Sequence, residues 1–247
     1  MTPSQGPFVH DQIDSTNLEA RRQAEAGVKG PVWIAAHRQT LGRGRRGRTW
    51  SSEPGNLAAT LLTPIQGGPA DAALYTFTAA LAVADTLRLL APGQDVALKW
   101  PNDVLLNRGK ACGILLESLA TTSSQITLAI GIGLNLAHGP DAPDAVWPPT
   151  SVHGETGETP KFDHALSTLI DALAARMSQH RLQGFACIRS DWLARAINLG
   201  GDIRVRLPNE TLHGRFAGLD TTGALMLEGP TGQRLIAAGD VFFPGDS

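Results

Sequence analysis

The sequence has little of what defines several whole classes of protein. Only two cysteines, Cys112 and Cys187, occur in 247 residues, which is too few for a disulfide framework and lacks the paired spacing of a zinc site. No uncharged apolar run approaches the ~20 residues that a membrane-spanning helix needs, and the first residues have neither the basic nor the apolar region of a signal peptide. We therefore expect a soluble, cytoplasmic protein with reduced thiols.

Several common catalytic motifs are also missing. The chain has no GxSxG, no HExxH and no GxxxxGK[ST], and its seven histidines do not cluster at metal-ligand spacing. The GIGLN segment at 131–135 lacks the strand-turn-helix context of a dinucleotide-binding fingerprint. These absences argue against a serine hydrolase, a zinc protease, a P-loop nucleotidase and a Rossmann enzyme.

Positive charge is concentrated in one short segment. The formal net charge is -2, so no overall basic field would recruit a polyanion. No acidic residue lies between Glu25 and Glu53, and this gap contains GRGRRGRTW at 42–50. Glycine lets the backbone approach a ligand closely, and arginine offers a planar donor fork that suits carboxylate and phosphate. The segment, called the arginine loop below, indicates a site for a small anion, with an RNA-binding segment or a solvated linker as alternatives.

Lysine is scarce, so its placement is informative. Two of the four lysines, Lys99 and Lys110, lie in KWPNDVLLNRGK at 99–110. Within it, Asn102 and Asp103 can form a turn while offering oxygens to a metal or a ribose. Lys110 follows a predicted hairpin turn and begins a strand, so its ammonium group would be held by a rigid backbone. A solvated hairpin lysine is the alternative.

Hydrophobic periodicity predicts a mixed helix and strand region followed by a β-rich module. Capping-box spacing of Thr16 and Glu19 marks the start of the first helix, and a proline-rich loop is predicted at 142–160. Helices are predicted at 16–26, 70–90, 162–182 and 185–196, and strands at 32–40, 56–64, 96–100, 103–106, 110–118 and 126–136, with a β module of short strands from 200 onward.

Taken in order, five segments resemble the signature of the biotin protein ligase family. They are DSTN at 14–17, QTLGRGRRGRTW at 39–50, KWPNDV at 99–104, GKACGILLE at 109–117 and GIGLN at 131–135, and the C-terminal GDIRVRL, GLDTTGALML and AAGDVFF resemble the small β-barrel domain of that family. The resemblance implies an α+β fold. A class II synthetase-like catalytic domain with a mixed β-sheet and flanking helices is expected at 1–198, and an SH3-like β-barrel at 199–247.

The same resemblance implies an activity. Members of the family use ATP to convert biotin into biotinyl-5'-AMP and then transfer biotin to one lysine of an acceptor domain. Biotin, ATP and Mg²⁺ are therefore the expected ligands, and a biotin carboxyl carrier protein is the expected partner. Bringing two anions together requires cations and a closing loop that excludes water. Two rivals stay open, which are a lipoate or octanoate attachment enzyme and a nucleic-acid-binding protein that uses the arginine loop.

The resemblance also assigns roles to single residues. Lys110 matches the lysine that contacts the carboxyl group of biotin and the α-phosphate, and Lys110 and Arg45 are the predicted catalytic residues. The biotin-contacting positions are Ser15, Thr16, Asn17 and Gln39; the loop over biotin and phosphate includes Gly42, Arg43, Gly44 and Arg45; Arg48 and Trp50 contact phosphate and adenine; Asn102 and Asp103 form the ATP and magnesium corner, with Asp103 as the metal ligand; and Lys99, Trp100, Gly113, Gly131, Gly133 and Asn135 complete the ligand-binding set.

Further expectations concern the arginine loop and the partners. We expect the loop to be mobile without ligand, because adjacent arginines repel one another and glycines lose entropy on ordering. Arg46 has no assigned role and is expected to face solvent. Because DSTN begins at Asp14, no winged helix-turn-helix and no sequence-specific DNA binding are expected. Asp240 replaces the glutamate that the family often has at this position. The composition suggests a bacterial source. Whether two copies pair through a sheet edge is left open.

Overall fold

A computed structural model describes residues 6–121, 125–141, 147–230 and 232–243. The helices are α1 (Thr16–Glu25), α2 (Pro69–Leu90), α3 (Val152–Thr156) and α4 (Phe162–Leu193), and Arg45–Gly47 forms a short 3-10 turn. The strands are β1 (Phe8–His10), β2 (Val32–Ala36), β3 (Leu57–Gln66), β4 (Val96–Lys99), β5 (Asp103–Leu106), β6 (Gly109–Thr121), β7 (Gln125–Leu134), β8 (Asp202–Arg206), β9 (Thr211–Leu219), β10 (Leu225–Gly229), β11 (Gly232–Ile236) and β12 (Asp240–Phe242).

A seven-stranded mixed sheet forms the centre of the larger domain. Its strand order is β1-β2-β3-β7-β6-β5-β4, with β1 and β2 parallel and the other neighbours antiparallel. The long strands β3, β7 and β6 are central, and most residues of β3 and β7 are buried. Runs that are apolar at successive positions are typical of strands covered on both faces. The predicted mixed sheet is confirmed.

Helices cover both faces of this sheet. Neighbouring residues of a strand point to opposite faces, so Trp33 packs with α2 and α4 in the main core while Ile34 packs with Ala20 of α1 in a second, smaller core. By length and composition α2 resembles a membrane span, but 67% of that window is buried within the protein, as expected of a core helix. One layer of the sheet thus separates α1 from α2 and α4.

The C-terminal strands form a second, antiparallel sheet. Its order is β11-β10-β9-β8-β12, which is consistent with the predicted SH3-like fold, although the described strands do not close into a barrel. Two of the contacts that dock this sheet on the larger domain involve tryptophans. Trp100 Nε1 donates a hydrogen bond to the Gly223 carbonyl at 3.1 Å, and Phe243 packs edge-on against Trp147. These contacts bring β12 next to the turn between β4 and β5.

Three local details differ from the expectations. The N-cap of α1 is Ser15 rather than Thr16, and the Thr16 hydroxyl donates to Gln39 Oε1. The edge strand β1 was not predicted, since three residues carry too little periodicity to detect. The proline-rich loop contains α3, which is capped by Ser151 Oγ accepting from Gly154 N at 3.0 Å; residues 142–146 of that loop lie outside the described residues.

The two helices predicted at 162–182 and 185–196 are a single interrupted element. The interruption is Gly184, with φ 75° and ψ 175°. Ion pairs hold the two halves on α2, because Arg176 binds Asp85 and Asp191, each at 2.6 Å, and Arg195 binds Asp85 at 2.6 Å. The ion pairs therefore span the break in the helix.

Replacing Gly184 tests the backbone requirement at this break. Its dihedral angles are accessible almost only to glycine, and a Cβ would meet no atom within 4 Å, so Gly184→Ala should lower the free energy of unfolding by about 1–3 kcal/mol through backbone strain alone. Urea denaturation measures this change. Leu182→Ala, at a position 74% exposed on the same helix, is the control and should change stability by less than about 0.5 kcal/mol; equal effects of the two substitutions would contradict the strain argument.

Candidate active site

One cavity lies between the arginine loop, the β4–β5 turn, the floor of β6 and β7, and the start of β12. Of the nineteen predicted site residues, seventeen line this cavity and two, Gly42 and Asn135, do not. Its lining is Ser15, Thr16, Asn17, Gln39, Arg43, Gly44, Arg45, Arg46, Arg48, Thr49, Trp50, Lys99, Trp100, Pro101, Asn102, Asp103, Lys110, Gly113, Ile114, Leu115, Gly131, Ile132, Gly133, Gly239 and Asp240. The fold therefore brings segments from six parts of the chain together.

One end of the cavity is uncharged and ordered by hydrogen bonds. Gln39 Oε1 accepts from the backbone N and the hydroxyl of Thr16, at 2.8 and 3.1 Å. Thr60 Oγ1 donates to Asn17 Oδ1 at 2.7 Å and lies 2.8 Å from Thr16 Oγ1. Sequence reasoning missed Thr60, and its signal would have been a hydroxyl in the apolar run of β3. This end can recognise a ligand that carries both N–H and C=O groups.

A carboxylate from β6 supports the uncharged end. Glu117 Oε2 accepts from Asn17 Nδ2 at 2.8 Å, and Glu117 Oε1 lies 3.1 Å from Arg43 Nη2 and 3.5 Å from Arg21 Nη2. Sequence reasoning did not select Glu117, although an acidic residue at the end of the apolar run GKACGILLE was a usable signal.

Three glycines form the floor and let larger groups lie directly on the sheet. Gly113 and Gly133 are paired across β6 and β7, and a Cβ at either position would collide with the indole ring of Trp50. A Cβ at Gly131 would collide with Asn17 Oδ1. Glycine is required at these positions because neighbouring side chains pack against the backbone itself.

The other end of the cavity carries a carboxylate between two lysines. Asp103 Oδ1 lies 2.7 Å from Lys110 Nζ, and Asp103 Oδ2 lies 3.5 Å from Lys99 Nζ. Burial raises the pKa of the Asp103 carboxyl, but the charges of Lys110 and Lys99 outweigh that effect and hold the pKa below its usual value. Burial lowers the pKa of Lys99. Two indole rings also face the ammonium groups, Trp50 at 5.9 Å from Lys110 Nζ and Trp147 at 5.6 Å from Lys99 Nζ.

The arginine loop closes over this cationic end. Its base is held by the hydrogen bond from Trp50 N to the Gly42 carbonyl at 3.0 Å, and Arg45 Nη1 donates to Asn102 Oδ1 at 3.0 Å. Burial lowers the pKa of Arg45, yet a guanidinium stays charged at neutral pH. The loop thus places a fixed positive charge beside the β4–β5 turn.

The expectation that Arg46 faces solvent was incomplete. Although exposed, Arg46 Nη1 lies 3.1 Å from Asp240 Oδ2, and Arg48 Nη2 lies 3.0 Å from the same oxygen. Asp240 belongs to the C-terminal sheet, so this carboxylate joins the arginine loop to the second domain. Sequence reasoning noted Asp240 only as a replacement for glutamate, because nothing local shows which distant cations it meets.

The two predicted residues outside the cavity have structural contacts instead. A Cβ on Gly42 would collide with the Trp50 carbonyl, so this glycine permits closure of the loop. Asn135 is buried, with Nδ2 donating to the Thr150 carbonyl at 3.0 Å, while its backbone N donates to Ala111 at 2.9 Å. Asn135 therefore positions the beginning of β6, which carries Lys110; its predicted contact with a ligand stays a prediction.

Asp103, the predicted metal ligand, would hold a metal ion only together with ligands that do not come from the protein. Within the described residues, no group of three His, Cys, Asp or Glu side chains is arranged to hold a metal ion. Asp103 and Asp240 are the carboxylates that the described part of the chain places on the cavity wall. Mg²⁺ commonly uses one or two carboxylates together with substrate phosphates, so these residues fit a metal that arrives with a nucleotide.

Asp103 also provides a stability test of the charged end. Asp103→Asn leaves Lys99, which is 7% exposed, without a counter-charge, and should lower the free energy of unfolding by about 3–5 kcal/mol. The double variant Lys99→Met with Asp103→Asn removes the isolated charge and should recover most of that loss, as measured by urea denaturation. Additive effects of the two substitutions would contradict the proposed coupling.

Comparisons with known proteins agree with this geometry. Residues 9–135 match the Biotin/lipoate A/B protein ligase family, and residues 199–243 match the Biotin protein ligase C terminal domain. The chain is 48% identical over 239 residues to a biotin–acetyl-CoA-carboxylase ligase of Paracoccus denitrificans, covering 95% of this chain and 99% of the relative. It is 34% identical to the enzyme of the same name from Mycobacterium tuberculosis, covering 93% and 86%.

A solved structure shows the same fold. The biotin protein ligase of Aquifex aeolicus in complex with biotin and ATP aligns with a TM-score of 0.80 at 23% identity, covering 96% of this chain and 97% of that one. The sequence matches extend over both the larger domain and the C-terminal sheet. The chain therefore belongs to the biotin protein ligases, within the biotin/lipoate protein ligase family.

Proposed function

We infer that this protein is an ATP-dependent ligase that activates biotin to biotinyl-5'-AMP and transfers biotin to a lysine of a biotin carboxyl carrier protein. The observation that carries this inference is the division of one cavity into an uncharged hydrogen-bonding end and a cationic end. Asn17 and Gln39 mark the first end, and Lys110 and Arg45 mark the second. A cyclic urea with a carboxylate tail matches these two ends in order.

The first step joins two anions. A carboxylate oxygen of biotin attacks the α-phosphorus of ATP, a P–O bond forms to give the mixed anhydride, and the bond to the departing pyrophosphate breaks. Lys110 and Arg45 would stabilise the charge that builds on the phosphate oxygens, because fixed cations in a cavity shielded from water act strongly. Lys110 would exchange its contact with Asp103 for these oxygens.

The side chains at the cationic end suit a magnesium ion that the protein and ATP would bind together in this step. We propose that Asp103 would hold Mg²⁺ together with phosphate oxygens of ATP, at the corner that includes Asn102. The ion would neutralise charge on the departing pyrophosphate. Lys99 would then remain as the buried counter-charge that orients Asp103 from the opposite side.

The second step transfers the acyl group. The amine of the acceptor lysine attacks the acyl carbon of biotinyl-5'-AMP, an amide bond forms, the bond to AMP breaks, and the amine releases its proton to solvent. Asp103 is a poor base for that proton, because its pKa is held below the ordinary value. Positioning and desolvation of an already neutral amine therefore account for the step.

We further propose a cytoplasmic location, because both cysteines are free thiols and the reaction consumes ATP.

Isotope exchange tests the activation step. Labelled pyrophosphate should enter ATP only when biotin is added, because formation of the adenylate is reversible, and lipoate should not replace biotin. Exchange that requires lipoate would instead favour the lipoate attachment rival. Tight oligonucleotide binding with a steep salt dependence, and no exchange with either acid, would favour the nucleic-acid rival.

Removing the lysine of the cationic end tests its catalytic role. Lys110→Ala should slow biotin-dependent exchange at least about 100-fold, which corresponds to roughly 3 kcal/mol of lost charge stabilisation. Lys29→Ala, which removes an exposed lysine outside the cavity, is the matched control and should exchange at the parent rate. If Lys110→Ala exchanges within threefold of the control, Lys110 has no part in the chemistry.

A further inference from the structure

Glu117 contacts two parts of the site but does not line the cavity itself. Its side chain is 14% exposed, and it projects from β6 beneath the uncharged end. One carboxylate oxygen accepts from Asn17 Nδ2, and the other lies next to Arg43 and Arg21. A residue with this placement acts on a bound ligand only through its neighbours.

The first contact determines which atom Asn17 offers to a ligand. A carboxylate only accepts hydrogen bonds, so Asn17 must turn its NH₂ group toward Glu117. The same NH₂ lies 3.5 Å from the Leu115 carbonyl, a second acceptor. The Asn17 oxygen is therefore directed to Thr60 and to the cavity floor above Gly131, where it can accept from a ligand N–H.

The second contact reaches the arginine loop. Arg43 is the first arginine of the loop, and its Nη2 lies 3.1 Å from Glu117 Oε1. The Arg43 side chain is 44% exposed, so this ion pair is partly screened by solvent, but its acceptor is nearly buried and fixed on a central strand. Among the described residues Arg43 pairs with Glu117, whereas Arg46 and Arg48 both pair with Asp240.

We propose that Glu117 is a positioning residue that couples recognition of the ligand ring to closure of the arginine loop. One oxygen of the Glu117 carboxylate binds the Asn17 NH₂ group, so that the Asn17 oxygen faces the N–H groups of a cyclic urea. The other carboxylate oxygen holds Arg43 over the site. This proposal rests on the proposed function for the identity of the ring. A dithiolane ring has no N–H donor, so the Asn17 orientation also favours a urea over that rival.

Two substitutions separate the two contacts. Glu117→Leu removes both, so it should raise the KM for biotin about tenfold and speed dissociation of biotinyl-5'-AMP by a similar factor, the size expected for a lost charge-assisted hydrogen bond. Glu117→Gln keeps an oxygen for Asn17 but loses the charge that Arg43 needs. It should leave the KM for biotin within threefold of the parent and still speed dissociation of the adenylate.

The matched control is Glu210→Gln, which removes an exposed glutamate paired with Arg234 on the C-terminal sheet. It should change neither quantity. KM is measured by biotin-dependent pyrophosphate exchange, and dissociation by chasing bound labelled adenylate with unlabelled adenylate. Equal losses in Glu117→Gln and Glu117→Leu, or parent values in both, would overturn the proposal. A parent protein without biotin-dependent exchange would instead refute the proposed function, so the two failures are distinguishable.

Discussion

Repulsion between like charges is the constraint on which this site is built. Six cationic side chains line one cavity, and two carboxylates, Asp103 and Asp240, share its wall within the described residues. Each carboxylate pairs with two of the cations. Asp103 contacts the two lysines, Lys99 and Lys110, and Asp240 contacts Arg46 and Arg48. Without these two acids the cations would repel one another before any ligand arrived. The arrangement leaves a surplus of positive charge that anionic substrates neutralise.

The two carboxylates also come from different domains. Asp103 lies on the central sheet, at a turn held by the docking of Trp100 on the C-terminal sheet. Asp240 lies on that second sheet and reaches back to the arginine loop. The smaller domain therefore contributes to the electrostatics of the site and does not serve only as an appendage. Movement of one domain relative to the other would change the position of the loop.

Close packing at the floor of the cavity places an indole ring at its cationic end and an amide group at its uncharged end. Gly113 and Gly133 allow the indole of Trp50 to lie on the sheet, and Gly131 allows the amide of Asn17 to do the same. The indole adjoins the cationic end, since it also faces Lys110, while the amide belongs to the uncharged end. Whether the loop is mobile without ligand stays a prediction, but its closed form already has backbone hydrogen bonds at its base and a side-chain contact at Asn102.

The sequence by itself determined the element types and most of the site chemistry. Hydrophobic periodicity located α2 and the central strands, and the arginine loop and the KWPND segment identified the cationic groups, because those signals lie in consecutive residues. Only the tertiary structure decided the partners. Asp240 meets Arg48 across 192 positions of chain, Glu117 meets Asn17 across 100, and Asn135 hydrogen-bonds to Ala111 of β6 and to Thr150. Such pairings follow from strand register and domain docking, and the free energy that selects them comes from the packing of distant segments, which leaves no local trace.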